Sequence, residues 1–283
     1  MTDLPPVDPI SGSTRLAAVI GSPVRHSLSP ALHNAVFAAT GIDWRFVAFD
    51  VEPGAAAAAV DAMRVLGIAG YAVTMPHKEQ IAAAVDHLDP AAASLRSVNT
   101  VVLRDDGTTF GASTDGPGFV DWVNACGVGV LGARVVVLGA GGAARSVIDA
   151  LARAGAADIS VVNRSSGSAV VAAALSPVAH VGTPADVGQA DLLVNATSVG
   201  MGTDDLPLDP RWFRPDLAVA DLVYHPLDTS FLRAARAAGC PTIDGLGMLV
   251  HQAVLQQELW TGVLPDAELM RAAAEAELAV RSA

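Results

Sequence analysis

Arg134-Val135-Val136-Val137-Leu138-Gly139-Ala140-Gly141-Gly142-Ala143-Ala144 is the stretch on which the fold turns. Its first half is an unbroken β-branched and apolar run, the mark of a strand buried on both faces. That run passes directly into Gly139, Gly141 and Ala144, which fit G-x-G-x-x-G/A, and a helical segment then continues to about Ala154, stopped by Gly155. Ile159 to Val162 supplies the next strand and completes a βαβ unit. The loop needs small residues because a pyrophosphate must reach backbone N–H groups at the positive end of the helix. The segment predicts a dinucleotide site; a glycine-rich turn with no ligand is the plainer alternative.

The strand after this helix ends in Asn163-Arg164-Ser165-Ser166. A site for NAD normally places Asp or Glu here, to accept from the ribose 2′-hydroxyl. An Arg and several hydroxyls suit a 2′-phosphate instead, so NADP(H) is the expected cofactor. Arg164 could equally be a solvated surface charge. Asp158 comes before the strand and is poorly placed to be the ribose acid.

Upstream, strands are expected at Leu16–Ile20, Trp44–Val51, Tyr71–Thr74, Val98–Leu103 and Thr108–Ala112. Helices are expected after Ser29, read as an N-cap with Pro30 at N1, over Gly54–Leu66, and from Pro76. Downstream, Leu192–Val194 and Leu217–Leu222 read as strands, and Met248 to about Trp260 and Ala267–Val280 as helices. This alternation predicts an α/β protein of two domains, with a seam near the Gly116-Pro117-Gly118 cluster.

Composition narrows the function. Of 283 residues 52% are hydrophobic, yet no apolar run reaches the length of a spanning helix, so no membrane association is expected. The first residues lack a basic and apolar leader, and the two cysteines, Cys126 and Cys240, form no CxxC motif. A cytoplasmic protein without disulfides or a metal site is expected. A net charge of −12 without a basic cluster argues against nucleic acid as a partner. The chain contains sixteen arginines and a single lysine, Lys78, in Val73-Thr74-Met75-Pro76-His77-Lys78. Arg cannot be deprotonated in a protein whereas Lys can exchange a proton, so Lys78 is a candidate acid/base group.

Four other features are required by no fold rule. Ser27 and Ser29 lie two apart before a helix and could hold a carboxylate; the alternative is a loop residue and a cap. Thr74 sits just before Lys78. Asn99 and Asp115, taken singly, read as strand-end or turn caps. Together with Gly21-Ser22-Pro23, His26 to Pro30, His33-Asn34, Asn195-Ala196-Thr197-Ser198, Asp221 with Tyr224 and Asp244 to Gln252, these segments place the chain. It resembles the shikimate dehydrogenase family from Gly21 to about Gly262.

The resemblance implies a substrate-binding domain over residues 1–115, a Rossmann-like NADP domain over 116–247, and C-terminal helices over 248–283 packing back on the first. It implies reversible NADPH-dependent reduction of 3-dehydroshikimate to shikimate in aromatic amino-acid biosynthesis, by a monomer or homodimer. By position, Lys78 and Asp115 form the catalytic pair, and Ser27 and Ser29 hold the substrate carboxylate. Thr74, Asn99, Tyr224 and Gln252 complete the substrate contacts. Gly139, Ala140, Gly141, Gly142, Ala143, Asn163, Arg164, Ser165, Thr197, Leu222 and Gly245 line the cofactor. Three positions depart from the family pattern: Ala72 and Ser113 stand where Asn is usual, and a second basic residue near Ser168 is missing. A dehydrogenase acting on quinate or aminoshikimate with NAD, or a non-catalytic dinucleotide-binding module, is the alternative.

Overall fold

Strands and helices alternate along most of the described residues, and their contacts gather into two compact units. The computed structural model describes residues 10–281; the Pro-rich lead and the segment read for a secretory leader lie outside the described residues. One unit ends at Thr114 and resumes at Ala253; the other is Asp115–Gln252.

The first unit runs through β1 (Arg15–Gly21), α1 (Ser29–Thr40), β2 (Trp44–Asp50), α2 (Ala56–Leu66), β3 (Gly70–Val73), α3 (Lys78–Ala84), β4 (His87–Leu88), α4 (Pro90–Leu95), β5 (Thr100–Leu103) and β6 (Thr109–Ala112). Its sheet has the order β2-β1-β3-β5-β6-β4, with β1 parallel to β2 and β3, and β5 antiparallel to β3 and β6. Side chains of a strand alternate between faces, and here the two faces have separate cores. Ala18, Ile20, Tyr71 and Val73 pack with Val60 and Met63 of α2 and Ile81 of α3, whereas Ala17, Val19 and Ala72 pack with Phe37 of α1.

Two helix starts differ from expectation. Leu28, not Ser29, occupies the N-cap of α1, because the Ser29 hydroxyl turns to Ser27 and its amide is taken by the Ser27 hydroxyl at 3.2 Å. Helix α3 opens at Lys78 rather than Pro76. His77 is fully buried and donates from Nε2 to the Val51 carbonyl at 2.7 Å, and its amide closes a turn onto Thr74 O. Residues 74–77 are thereby held as a turn. The short β4 and α4 were not expected from the sequence pattern.

The second unit holds α5 (Asp115–Ala125), β7 (Arg134–Leu138), α6 (Gly142–Arg153), β8 (Asp158–Val162), α7 (Ser166–Ala173), β9 (Ala179–Val181), β10 (Leu192–Asn195), β11 (Ala218–Asp221), α8 (Ser230–Ala237), β12 (Thr242–Ile243) and the first half of α9 (Gly245–Thr261). All six strands are parallel, in the order β12-β11-β10-β7-β8-β9. This is the order of a doubly wound dinucleotide-binding sheet, with its switch point between β7 and β10. Val135 and Val137 face α5, α6 and α7, while Val136 and Leu138 face α8. The seam expected near the Gly116-Pro117-Gly118 cluster falls between Thr114 and Asp115, and the cluster itself is the first turn of α5. Pro is tolerated in a first turn, and the glycines admit neighbours: a methyl on Gly116 would lie 2.3 Å from Ser146 O of α6.

The second half of α9 and helix α10 (Ala267–Arg281) belong to the first unit. Trp260 of α9 donates to Val101 O at 3.0 Å and lies against β3, where a methyl on Gly70 would come within 2.3 Å of its indole nitrogen. His33 of α1 is fully buried beside it, with ring centroids 4.4 Å from Phe46 and 5.1 Å from Trp260. Its Nδ1 lies 3.0 Å from Gln257 Oε1. The adjacent Asn34 both donates to Phe46 O and accepts from Phe46 N, each at 2.8 Å. Among the described residues no helix is long and apolar enough to cross a membrane.

Two outcomes follow. Gly70→Ala drives a methyl into a ring already wedged by Phe46 and His33, and costs about 1–3 kcal/mol in urea unfolding; an unchanged midpoint would show that Trp260 does not rest on β3. Burial lowers the pKa of His33 from 6.5 to about 4. Between those values the unfolded chain binds the extra proton and the folded one does not, so stability is intact above pH 6.5 and declines as pH falls toward 4. The loss is on the order of 3 kcal/mol, and unfolding of His33→Gln should show a correspondingly shallower decline between pH 7 and 4.5.

Candidate functional site

Within the first unit the polar residues gather at the ends of β1, β3 and β5. Ser27 is half-buried and Ser29 buried; the Ser27 hydroxyl donates to that of Ser29 at 3.2 Å. Arg281, at the end of α10, donates to the His26 and Ser27 carbonyls and so ties down the loop that carries both hydroxyls. Thr74 follows β3, its amide held by Ile20 O at 2.9 Å, and it sits so close to β1 that a methyl on Gly21 would lie 2.4 Å from its Cγ2. Lys78 opens α3 one turn later, half-buried, with its carbonyl accepting from Val98 N at 3.0 Å. Thr74 and Lys78 are thus presented by one turn.

Asn99 is buried, and its side chain is committed to Thr114. Its Oδ1 accepts from Thr114 N at 2.7 Å and from Thr100 Oγ1 at 3.0 Å, while Nδ2 donates to Thr114 Oγ1 at 2.9 Å. Thr114 immediately precedes Asp115, so Asn99 fixes the backbone from which Asp115 departs. The Asn99 carbonyl accepts from Val73 N at 2.7 Å and from Gln256 Nε2 at 3.1 Å. Thr100, Thr114 and Gln256 were not singled out from the sequence, since a lone polar residue in a strand or helix carries no local signature.

In the second unit the sequence-expected residues lie on the loops that leave the strands at the switch point. Gly139 follows β7 with φ +112°, and a methyl there would lie 2.9 Å from Ala196 O after β10. Only glycine takes that conformation without strain. Gly141 and Gly142 face open space, with nothing within 4 Å of the place a methyl would take, so the backbone at the start of α6 is open to approach. Ala140 is half-buried and Ala143 exposed on the same loop. A pyrophosphate fits this cradle on steric grounds and on the field of the twelve-residue α6.

Asn195 and Asp221 end the neighbouring strands β10 and β11, and both are fully buried. Asn195 donates to Asp221 Oδ1 at 2.9 Å and accepts from Thr197 N and Thr197 Oγ1 at 3.1 and 2.7 Å. Asp221 also accepts from Val223 N at 3.1 Å and Thr229 Oγ1 at 2.7 Å. Burial pushes the Asp221 carboxyl pKa up, and these three donors pull it back. The pair shapes the loops carrying Thr197, Leu222 and Tyr224. Gly245 packs on the second of them, where a methyl would lie 2.5 Å from Leu222 O.

Past β8, Asn163 Nδ2 donates to Ser165 O at 3.0 Å, and Arg164, Ser165 and Ser168 are exposed. Asp158 is the first residue of β8, at the opposite end from Asn163, and pairs with His180 at 3.3 Å. Asp115 opens α5, and Gln252 lies on α9. These helices touch closely, for a methyl on Gly118 would lie 2.5 Å from Gln252 N. Trp122 of α5 donates to Asp244 O at 3.0 Å beside Gly247. Among the described residues no group of His, Cys, Asp or Glu is arranged to hold a metal ion.

The first unit matches a family model described as the shikimate dehydrogenase substrate binding domain over residues 19–101, and residues 245–275 match the shikimate 5′-dehydrogenase C-terminal domain. A shikimate dehydrogenase (NADP(+)) of Moorella thermoacetica is 45% identical over 266 residues, covering 89% of this chain and 90% of the relative. The crystal structure of Thermus thermophilus shikimate 5-dehydrogenase in complex with NADP(H) and shikimate is 38% identical and superposes with a TM-score of 0.87, covering 93% and 99%. A quinate dehydrogenase from Corynebacterium glutamicum in complex with NAD superposes with the same TM-score at 32% identity, covering 93% and 99%. With kinship of this extent along both units, the chain belongs to the shikimate dehydrogenase family.

Proposed function

We propose that the protein catalyses the reversible NADPH-dependent reduction of 3-dehydroshikimate to shikimate. The observation that carries the reading is its whole-length kinship with enzymes named for that reaction, one of them crystallised with NADP(H) and shikimate. The glycine cradle at the switch point supports a dinucleotide, and Arg164 with the Ser165 and Ser168 hydroxyls supports the 2′-phosphate. The Asn163, Thr197, Leu222 and Gly245 backbone lines the rest of that crevice.

Ser27 and Ser29 take the substrate carboxylate. Their hydroxyls now satisfy one another, and a carboxylate oxygen replaces that contact with two charge-assisted ones. Thr74, Asn99, Tyr224 and Gln252 hold the ring hydroxyls and carboxylate. Lys78 and Asp115 work at the reacting oxygen. When bound, the nicotinamide supplies the hydride or takes it back. Negative charge builds on the substrate oxygen during reduction, and the Lys78 ammonium stabilises it and delivers the proton. Asp115 orients that ammonium and the hydroxyl. The reading places the enzyme in the cytoplasm, as a monomer or homodimer; Cys126 is exposed and Cys240 buried.

Steady-state rates with shikimate and quinate, each with NADP and NAD, test the assignment, and faster turnover of quinate with NAD would replace it with the quinate reading. Lys78→Arg keeps the charge and removes proton exchange, so kcat should fall by about 100-fold or more; near-normal kcat would reduce Lys78 to a fixed charge. Arg164→Ala should raise KM for NADP by about tenfold with little change for NAD. An equal rise for both would separate Arg164 from the 2′-phosphate.

A further inference from the structure

Helix α9 places two consecutive amides, Gln256 and Gln257, against His33, and all three side chains are buried to within 1% of complete enclosure. Gln256 donates from Nε2 to the Asn99 carbonyl at 3.1 Å. That bond fixes which way its amide points, because a carbonyl oxygen can only accept. Gln256 Oε1 therefore faces away from Asn99, buried and without a hydrogen-bond partner. His33 Nε2 is in the same condition, buried and unpaired, while its Nδ1 has Gln257 at 3.0 Å. Gln257 and Gln256 both counter the burial that lowers the pKa of the His33 ring.

Two buried polar atoms without partners are rare in a folded core, since each has given up its hydrogen bonds with water. A neutral imidazole has one donor and one acceptor, which leaves a single arrangement that pairs both orphans and keeps the Nδ1 contact. His33 carries its proton on Nε2 and donates to Gln256 Oε1. Its Nδ1 then accepts, which turns the Gln257 amide so that nitrogen, not oxygen, faces the ring; oxygen and nitrogen of an amide are distinguished only by such networks.

We infer that Gln257, His33 and Gln256 form a directional relay that ends on the Asn99 carbonyl and makes Gln256 and His33 positioning residues for the substrate site. The relay runs from Gln257 N–H to His33 Nδ1, from His33 Nε2–H to Gln256 Oε1, and from Gln256 N–H to Asn99 O. The same carbonyl accepts from Val73 N, one residue before Thr74, so the relay sets two elements of the site from a distance. This role rests on the reading that Asn99 meets the substrate. It is a contribution of this chain's helix α9, and it acts through backbone rather than by touching the ligand.

Nitrogen-15 NMR of histidine-labelled protein tests the relay without any substitution. His33 should be neutral at pH 7 with the proton on Nε2; a proton on Nδ1 overturns the proposal. Kinetics test its consequence. Gln256→Leu, close in volume, removes the donor to Asn99 and should raise KM for shikimate about fivefold, with kcat and KM for NADP within twofold. Gln256→Glu, which restores an acceptor toward His33 but no donor toward Asn99, should not rescue it. Asn99→Ala is measured alongside. If Asn99→Ala raises that KM and Gln256→Leu does not, the positioning role falls while the site reading stands. If Asn99→Ala itself leaves KM for shikimate unchanged, the site reading falls and takes the positioning role with it.

Discussion

Both sheets end in polar residues that are sealed from water, and such groups must find partners inside the protein or cost more than a fold can spare. Asn99, Thr100 and Thr114 meet this demand at one sheet, and Asn195, Asp221 and Thr229 at the other. Each cluster joins two segments that are distant in sequence, so the loops leaving the strands have little freedom of placement. In each unit, candidate site residues sit on those loops. Their precision is therefore set by side chains that need never touch a ligand.

The dinucleotide half was legible because its physics is local. A buried parallel strand reads as a continuous apolar run, and the close approach after it demands glycine, which Gly139 with φ +112° bears out. Other signals misled for equally physical reasons. Ser29-Pro30 has the composition of a cap, yet the Ser29 hydroxyl is drawn to Ser27 and Leu28 takes the N-cap position. Gly116-Pro117-Gly118 marked the seam correctly but hid a helix, because the space saved by two missing side chains lets α5 press on α6 and α9, and packing overrides propensity. Strands of two or three residues, such as β4 and β12, are too short to show any period.

The polar residues of α9 were the hardest to foresee. Gln256 and Gln257 in a helix suggest a solvent face, and only the fold reveals that His33 waits behind them. By contrast the sole lysine stood out by composition alone, and the structure adds what holds it: a buried imidazole at the preceding residue, bonded across to Val51 O, which delays the helix until Lys78. Candidate positions of chemistry stood out as residue types, while the scaffolding around them did not.

Asn34 carries a further consequence. Strand β2 is the outermost of its sheet, and an outermost strand exposes unpaired main-chain groups on which a foreign strand can assemble. The Asn34 amide engages both the N–H and the C=O of Phe46, imitating a neighbouring strand one residue long. Unlike a real strand, it offers no further edge. At Phe46 the sheet edge is thus closed by a side chain, and that guard against a foreign strand comes from the same helix that bears Ser29 and His33.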